Sequence, residues 1–143
     1  MSNVGVSVVM PLYNASEYVE DAIRSILNQS YKEFELIIID DMSKDDSHSK
    51  VQQFISDSRV RICQNNINKG ISETLNFGIN QAKYELIAIM HADDISDSQR
   101  IEKQVKYLAD NSDVVLLGTW AKLIGNFKGN NYMKPPISSI KCK

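Results

Sequence analysis

Five short apolar runs recur along the chain: VSVVM (6–10), ELIIID (35–40), VRIC (60–63), LIAIM (86–90) and VVLLG (114–118). Each is rich in Val and Ile and mostly continuous rather than alternating, the pattern of strands covered on both faces. Helical periodicity fills the gaps. Val19, Ala22, Ile23, Ile26 and Leu27 form one apolar face, with Ser16 as its N-cap ahead of Glu17. A weaker stretch, 47–56, turns Val51, Phe54 and Ile55 inward. Ile71, Leu75, Ile79 and Ala82 make a third stripe. Ile101, Val105 and Leu108 make a fourth, after an acidic start at Asp97. Strands alternating with helices predict an α/β fold, with a mainly parallel sheet, right-handed crossovers and helices on both faces.

Sheets of this kind bind ligands outside the carboxyl ends of their strands. Four polar clusters stand at those ends: PLYN (11–14), DDMSKDDS (40–47), QNNINKG (64–70) and HADD (91–94). All four are expected along one edge of the sheet. Polar loops explain any single cluster. They explain less well two Asp-Asp pairs placed where strands finish.

Composition narrows the function classes. The 43% hydrophobic and 24% charged residues in a chain of 143 fit one domain with its own core. With 18 acids against 16 bases there is no basic excess, which argues against a nucleic-acid partner. Cys63 and Cys142 are too far apart in setting to suggest a disulfide, so a reducing compartment fits. The start lacks a basic n-region, and no window reaches the roughly 18 apolar residues of a membrane span. The stretch 126–143 has little periodicity, and no Asp or Glu follows Asp113. It reads as an irregular tail. Trp120, Tyr107 and Phe127 read as core or edge.

Each polar cluster has two readings. Asp93 and Asp94 offer hard oxygen ligands to Mg²⁺ or Mn²⁺, which need only one or two carboxylates when phosphates and water complete the shell. Without a cation they repel, unless they sit in a solvated turn before the next helix. His91 suits a phosphate, a hydroxyl, a Mn²⁺ shell or a backbone neighbour equally well. Asp40 and Asp41 can accept a hydrogen bond from a base or ribose, or build an Asx-turn. NKG (68–70) opens the third helix, where Gly70 permits close backbone approach and the helix N-terminus favours anions. Lys69 adds a positive charge or is simply solvated. Asn76, a poor helix former, suggests a polar contact. Tyr13 can stack on a base or sit at the rim.

Taken in order, SVVMPLYNASEYVEDAIRSILNQSYKEFELIIIDDMSKDDS and NKGISETLNFGINQAKYELIAIMHADDIS resemble the nucleotide-binding half of a glycosyltransferase family 2 enzyme with the GT-A fold, over about residues 4 to 118. The resemblance implies a nucleotide-sugar donor, usually UDP-linked, and a saccharide or lipid-linked acceptor. It implies transfer with inversion, assisted by Mn²⁺ or Mg²⁺. Pro11, Tyr13 and Asn14 would line the nucleotide pocket, and Asp41 would face the base. Lys69, Gly70 and Asn76 match the family's Asn-x-Gly stretch and the Asn downstream. His91, Ala92 and Asp93 fall on its Asp-x-Asp motif, with Asp93 bearing on metal and diphosphate and Asp94 beside it as a second metal residue. His91 departs from the motif by replacing a charged Asp with an imidazole. On this reading 1–125 is the donor-binding portion. The acceptor half, which holds the family's general base, is absent, so no catalytic base is named. Nucleotide binding with little or no transfer is then expected. The resemblance also implies a cytoplasmic setting at the inner membrane face, in polysaccharide synthesis. A peripheral membrane contact and a homo-oligomer both stay open.

A non-catalytic nucleotide-binding or scaffold module of the same fold is the alternative. A phospho-receiver domain is disfavoured because PLYN, not an acidic pair, follows the first strand. A dinucleotide dehydrogenase is disfavoured because no G-x-G-x-x-G follows it.

Overall fold

The computed structural model describes residues 4–123 and the backbone of Tyr132–Met133. The chain divides into two compact units, Met1–Val105 and Lys106–Lys143. The first holds a four-stranded sheet: β1 (Val6–Leu12), β2 (Phe34–Asp40), β3 (Val60–Gln64) and β4 (Leu86–Ile89), all parallel, in the order β3-β2-β1-β4. Helices α1 (Val19–Leu27), α2 (Ser47–Gln52) and α3 (Ile71–Asn80) connect them, and α4 (Arg100–Asp110) follows β4.

Side-chain alternation along the strands separates two cores. Val6, Val8, Met10, Leu12, Leu36 and Ile38 pack with Ala22, Ile23 and Ile26 of α1, Val51 of α2 and Ile101 of α4. Val9, Ile37 and Ile39 face the other way, toward Leu75 and Ala82 at α3. The centre of β2 is buried on both faces, as its unbroken Ile run requires. Each fully buried Ile contributes roughly 1.5–3 kcal/mol. β4 alternates instead: Leu86 and Ala88 join the first core while Ile87 and Ile89 are exposed on the other face.

The helices depart from the sequence expectation at several points. α1 begins at Val19 behind Tyr18, because residues 16–18 form a turn rather than the first helical turn, so Ser16 is not its cap. α2 stops at Gln52, and Ile55 is exposed. In α3 the buried residues are Thr74 and Gly78, whereas Ile71 and Ile79 of the expected stripe are 54% and 38% exposed. Gly78 causes the rotation. A Cβ there would lie 2.5 Å from both Val9 and Ile39, so only glycine lets the helix backbone approach the sheet along that line.

The second unit carries the end of α4 and a short antiparallel pair, β5 (Ala121–Lys122) with β6 (Tyr132–Met133). The expected fifth strand at 114–118 is not formed among the described residues. Val115 and Leu116 are 96% and 80% exposed. An apolar run becomes a strand only when a neighbouring ladder accepts its backbone, and among the described residues none pairs with 114–118. Apart from Tyr132–Met133, the stretch read as a tail lies outside the described residues, as do Phe127 and Cys142. Among the described residues no helix is long and apolar enough to cross a membrane.

Candidate functional site: a cleft where the strand order reverses

Consecutive parallel strands run outward from β1 in opposite directions, to β2 and β3 on one side and β4 on the other. That reversal is where α/β sheets open a crevice. Pro11 helps to open it. The β1–β4 ladder ends with the Met90 N–H donating to Val9 O at 3.1 Å, and Pro11 has no N–H to extend a ladder. A cleft of about 370 Å³ lies here. Its lining includes Pro11, Tyr13, Asn14, Asp41, Gly70, His91, Ala92 and Asp93. The four polar strand ends therefore meet at one place.

The walls are fixed by side chains that replace regular backbone pairing. The β1–α1 loop is zipped to the β2–α2 loop. Asn14 N–H donates to Ser43 Oγ (3.1 Å), Ala15 N–H to Ser47 Oγ (2.9 Å) and Ser16 N–H to Asp45 Oδ2 (3.1 Å), while Asn14 Oδ1 accepts from Lys44 N–H (2.8 Å). Burial alone would raise the Asp45 pKa, but the bonds from Ser47 and Ser16 outweigh it and bring it down from 3.8 to about 2. Two non-glycine residues with positive φ stand in these loops, Asn14 (48°) and Met42 (63°). Asn accepts that conformation readily, whereas Met does so at a cost of roughly 1–2 kcal/mol.

Asp40 and Asp41 do not face each other. They are adjacent across a strand end, so their side chains leave on opposite faces. Asp40, fully buried, accepts from Ser43 N–H (2.9 Å) and Gln64 Nε2 (2.9 Å) and bonds His48 Nδ1 (2.9 Å) on the α2 side. It stands outside the cleft lining. Asp41 turns to the α3 side. Its Oδ1 accepts from Asn65 Nδ2 (2.7 Å) and Lys69 N–H (2.8 Å), its Oδ2 accepts from Gly70 N–H (2.8 Å), and the Thr74 hydroxyl adds a further bond. Burial opposes its ionisation, but these donors prevail and hold the carboxyl below its ordinary range. A carboxylate has about four acceptor positions, so Asp41 is nearly saturated by the protein. It shapes the 68–70 loop, where Gly70 takes φ 81°.

The HADD turn stands opposite. Asp94 N–H donates to His91 O at 3.4 Å, closing a turn in which Ala92 is buried and His91, Asp93 and Asp94 are exposed. The acids do not cap α4. Asp97 shapes the turn that leads into it, its Oδ1 accepting from Gln99 N–H at 3.0 Å and its backbone O from Arg100 N–H at 3.0 Å. Among the described residues no hydrogen bond or ion pair engages the side chains of Tyr13, His91 or Asp93. Nor do three or more His, Cys, Asp or Glu side chains converge as a complete metal site there. Two exposed carboxylates fit a hard cation that takes its remaining ligands from water and phosphate. Lys69, Asn76 and Asp94 are not part of the cleft lining. Asn68, the first residue of the NKG stretch, is part of it, as are Ile71, Thr74 and Tyr18, which were not anticipated. Ile71 follows the Lys69-Gly70 pair, the one signal that could have found it.

A family model for glycosyl transferase family 2 matches residues 7–141. The chain belongs to that family. Within it, the sequence is 31% identical over 135 residues to a UDP-Glc:alpha-D-GlcNAc-diphosphoundecaprenol beta-1,3-glucosyltransferase, WfgD, of Escherichia coli, covering 94% of this chain and 53% of that protein. The fold is similar to S. aureus TarS 1–349 in complex with UDP (TM-score 0.71, 22% identity, 76% of this chain and 33% of that one). It is also similar to the mannosyltransferase PcManGT from Pyrobaculum calidifontis in complex with GDP-Man and Mn²⁺ (TM-score 0.70, 23% identity, 85% and 35%). The chain spans between about a quarter and a half of the length of the curated relatives it matches. Membership fits the parallel four-stranded sheet, the expected GT-A architecture.

Proposed function

We propose that this chain is the donor-binding portion of a glycosyltransferase, with residues 1–125 taking a nucleotide-diphosphate sugar into the cleft between β1 and β4. One observation carries the reading: residues from four separate strand ends line a single cleft, and its Tyr13, His91 and Asp93 side chains are unspent. Tyr13 supplies a face for the base. Pro11 and Asn14 form the wall beside it. Asp41, nearly saturated by the β3–α3 loop and Thr74, contributes to base recognition by holding Asn68 to Gly70 in place. Its bonds fix the Lys69 and Gly70 amides, and Lys69 and Asn76 bring a cation and an amide to that side. Asp93 and Asp94, with His91 and Ala92 in the same turn, meet the diphosphate end.

Oxygen ligands of this kind suit Mn²⁺ or Mg²⁺. When bound, such an ion would supply Lewis-acid stabilisation of the departing nucleotide diphosphate. The donor is UDP-linked and the acceptor a saccharide or lipid-linked glycan, as in the relative from Escherichia coli; both assignments rest on likeness to it. Inversion requires a general base to take the acceptor proton, and none is assigned in this chain. The setting is the cytoplasm, at the membrane face where lipid-linked acceptors stand.

Calorimetric titration with UDP, with and without Mn²⁺, tests the reading. Binding that needs Mn²⁺ and weakens about tenfold or more in Asp93→Asn is expected. An absence of heat under both conditions would sink it.

A further inference from the structure

Gln29 is completely buried and lies outside the cleft lining, yet its side-chain amide ties the segment behind the acidic turn to α1 and to α4. Its Nε2 donates to Asp97 O (2.7 Å), Ser25 O (3.1 Å) and Ser96 Oγ (3.2 Å), and its Oε1 accepts from Ile101 N–H (3.0 Å). Ser96 N–H in turn donates to Ser25 Oγ (3.0 Å), and Ser30 N–H to Ser98 O (2.7 Å). The stretch from Ile95 to Gln99 has no strand or helix of its own. Its backbone groups still need partners, and Ser25 of α1, with Gln29 and Ser30 just beyond that helix, supplies several of them.

The acidic turn is thereby held at both ends. β4 fixes it upstream at Met90. Gln29 fixes it downstream at Ser96 and Asp97, with only exposed Ile95 between the acids and the clamp. A Met or Leu at this position would make none of these four bonds. The amide does what they could not: it accepts from α4 and donates to the loop at the same time.

We infer that Gln29 is a positioning residue, which sets where Asp93 and Asp94 stand at the cleft and hence the affinity for a divalent cation with a nucleoside diphosphate. The inference rests on the proposed donor-binding reading. Supporting shells of this kind change metal affinity about 10- to 100-fold when removed.

The test uses Gln29→Met, with Ser25→Ala as a milder break of the same stitch. Hydrogen–deuterium exchange is followed over peptides spanning 91–101 alongside UDP titrations with and without Mn²⁺. Expected is exchange about tenfold faster in 95–101 with β1 and β2 still protected. Affinity for UDP with Mn²⁺ should fall about tenfold, with a change below about twofold for UDP alone. Unchanged exchange in that segment, or faster exchange with unaltered Mn²⁺-dependent affinity, would overturn the inference. So would loosening of β1 and β2 in Ser25→Ala, since that marks a general stabilising role. If Gln29→Met does not fold, Ser25→Ala is judged by the same criteria. Failure of the wild-type chain to bind UDP at all would count against the donor-binding reading instead, and the positioning role would then be decided by exchange alone.

Discussion

The two rims of the sheet use their charged residues in opposite ways. At the rim where the strands begin there is a larger hollow, about 570 Å³, lined by Lys32, Arg59, Arg61 and Lys83 with Glu33 and Glu35. By volume and charge it looks the better binding site. Its groups are already committed. Lys32 Nζ donates to Gln29 O (2.7 Å), Arg59 Nη1 to Leu27 O (3.3 Å) and Arg61 Nη1 to Gln81 O (2.9 Å). These are carbonyls at the C-terminal ends of α1 and α3, where cations are favoured. Glu35 accepts from Ser7 Oγ (2.7 Å), Lys83 N–H (2.6 Å) and Arg61 Nη1 (3.2 Å). Arg59 also pairs with Asp57 at 2.8 Å and lies over the Phe34 ring. At the opposite rim the buried carboxylates are spent in the same manner, but Tyr13, His91 and Asp93 are not. Volume therefore points to one rim, and unspent polar groups point to the other, where the donor cleft is proposed.

The sharpest way to break this contrast is Asp41→Ala. It strands the Asn65 amide and the Lys69 and Gly70 N–H groups, so a loss of about 3 kcal/mol in stability is expected in urea unfolding. UDP binding should fall below detection in calorimetry, because the loop it shapes forms one wall. Glu35→Ala is the matching change at the other rim. A loss of about 2 kcal/mol is expected there, with UDP affinity of the folded fraction unchanged. Weaker binding in that variant would mean the rims are coupled.

Tyr13→Ala isolates an unspent group. Base–aromatic stacking of about 1–3 kcal/mol predicts roughly tenfold weaker UDP binding with no shift in the unfolding midpoint. Acid titration sharpens the common feature instead. Asp41, Asp45 and Glu35 all have folded pKa values below their ordinary ones: burial opposes the shift and hydrogen bonds outweigh it. Such groups add stability above the unfolded pKa and lose it as the pH falls through the folded value. For Asp45 that window runs from 3.8 down to about 2. Stability measured against pH should therefore slope downward across it, and Asp45→Asn should flatten the slope. Lys83→Gln, at an exposed cation of the other rim, should leave UDP affinity unchanged, which makes it the control for nonspecific charge effects.

Much of the fold was legible in local pattern. Four of the five apolar runs are strands, and the helices between them occur where periodicity placed them. The convergence of PLYN, HADD and the NKG stretch followed from strand direction alone. Less legible was the function of each acid. Asp40 and Asp41 look equivalent in sequence, yet the two-residue period of a strand sends one to His48 and the other to Asn65. Gln29 carried no signal, because its partner Ile101 lies 72 residues away. The α3 stripe misled because a hydrophobic count gives glycine no weight, while close approach to Val9 and Ile39 depends on Gly78 having no side chain.

By itself, then, the sequence determined the alternation of strands and helices and the edge at which the polar clusters gather. Both follow from residue spacing and backbone direction, which are local properties. Only the tertiary structure decided which polar groups are consumed by the protein and which stay available, which face α3 buries, and that 114–118 forms no strand among the described residues. Those outcomes depend on partners brought together from distant parts of the chain, and a hydrogen bond or a ladder exists only when both partners arrive.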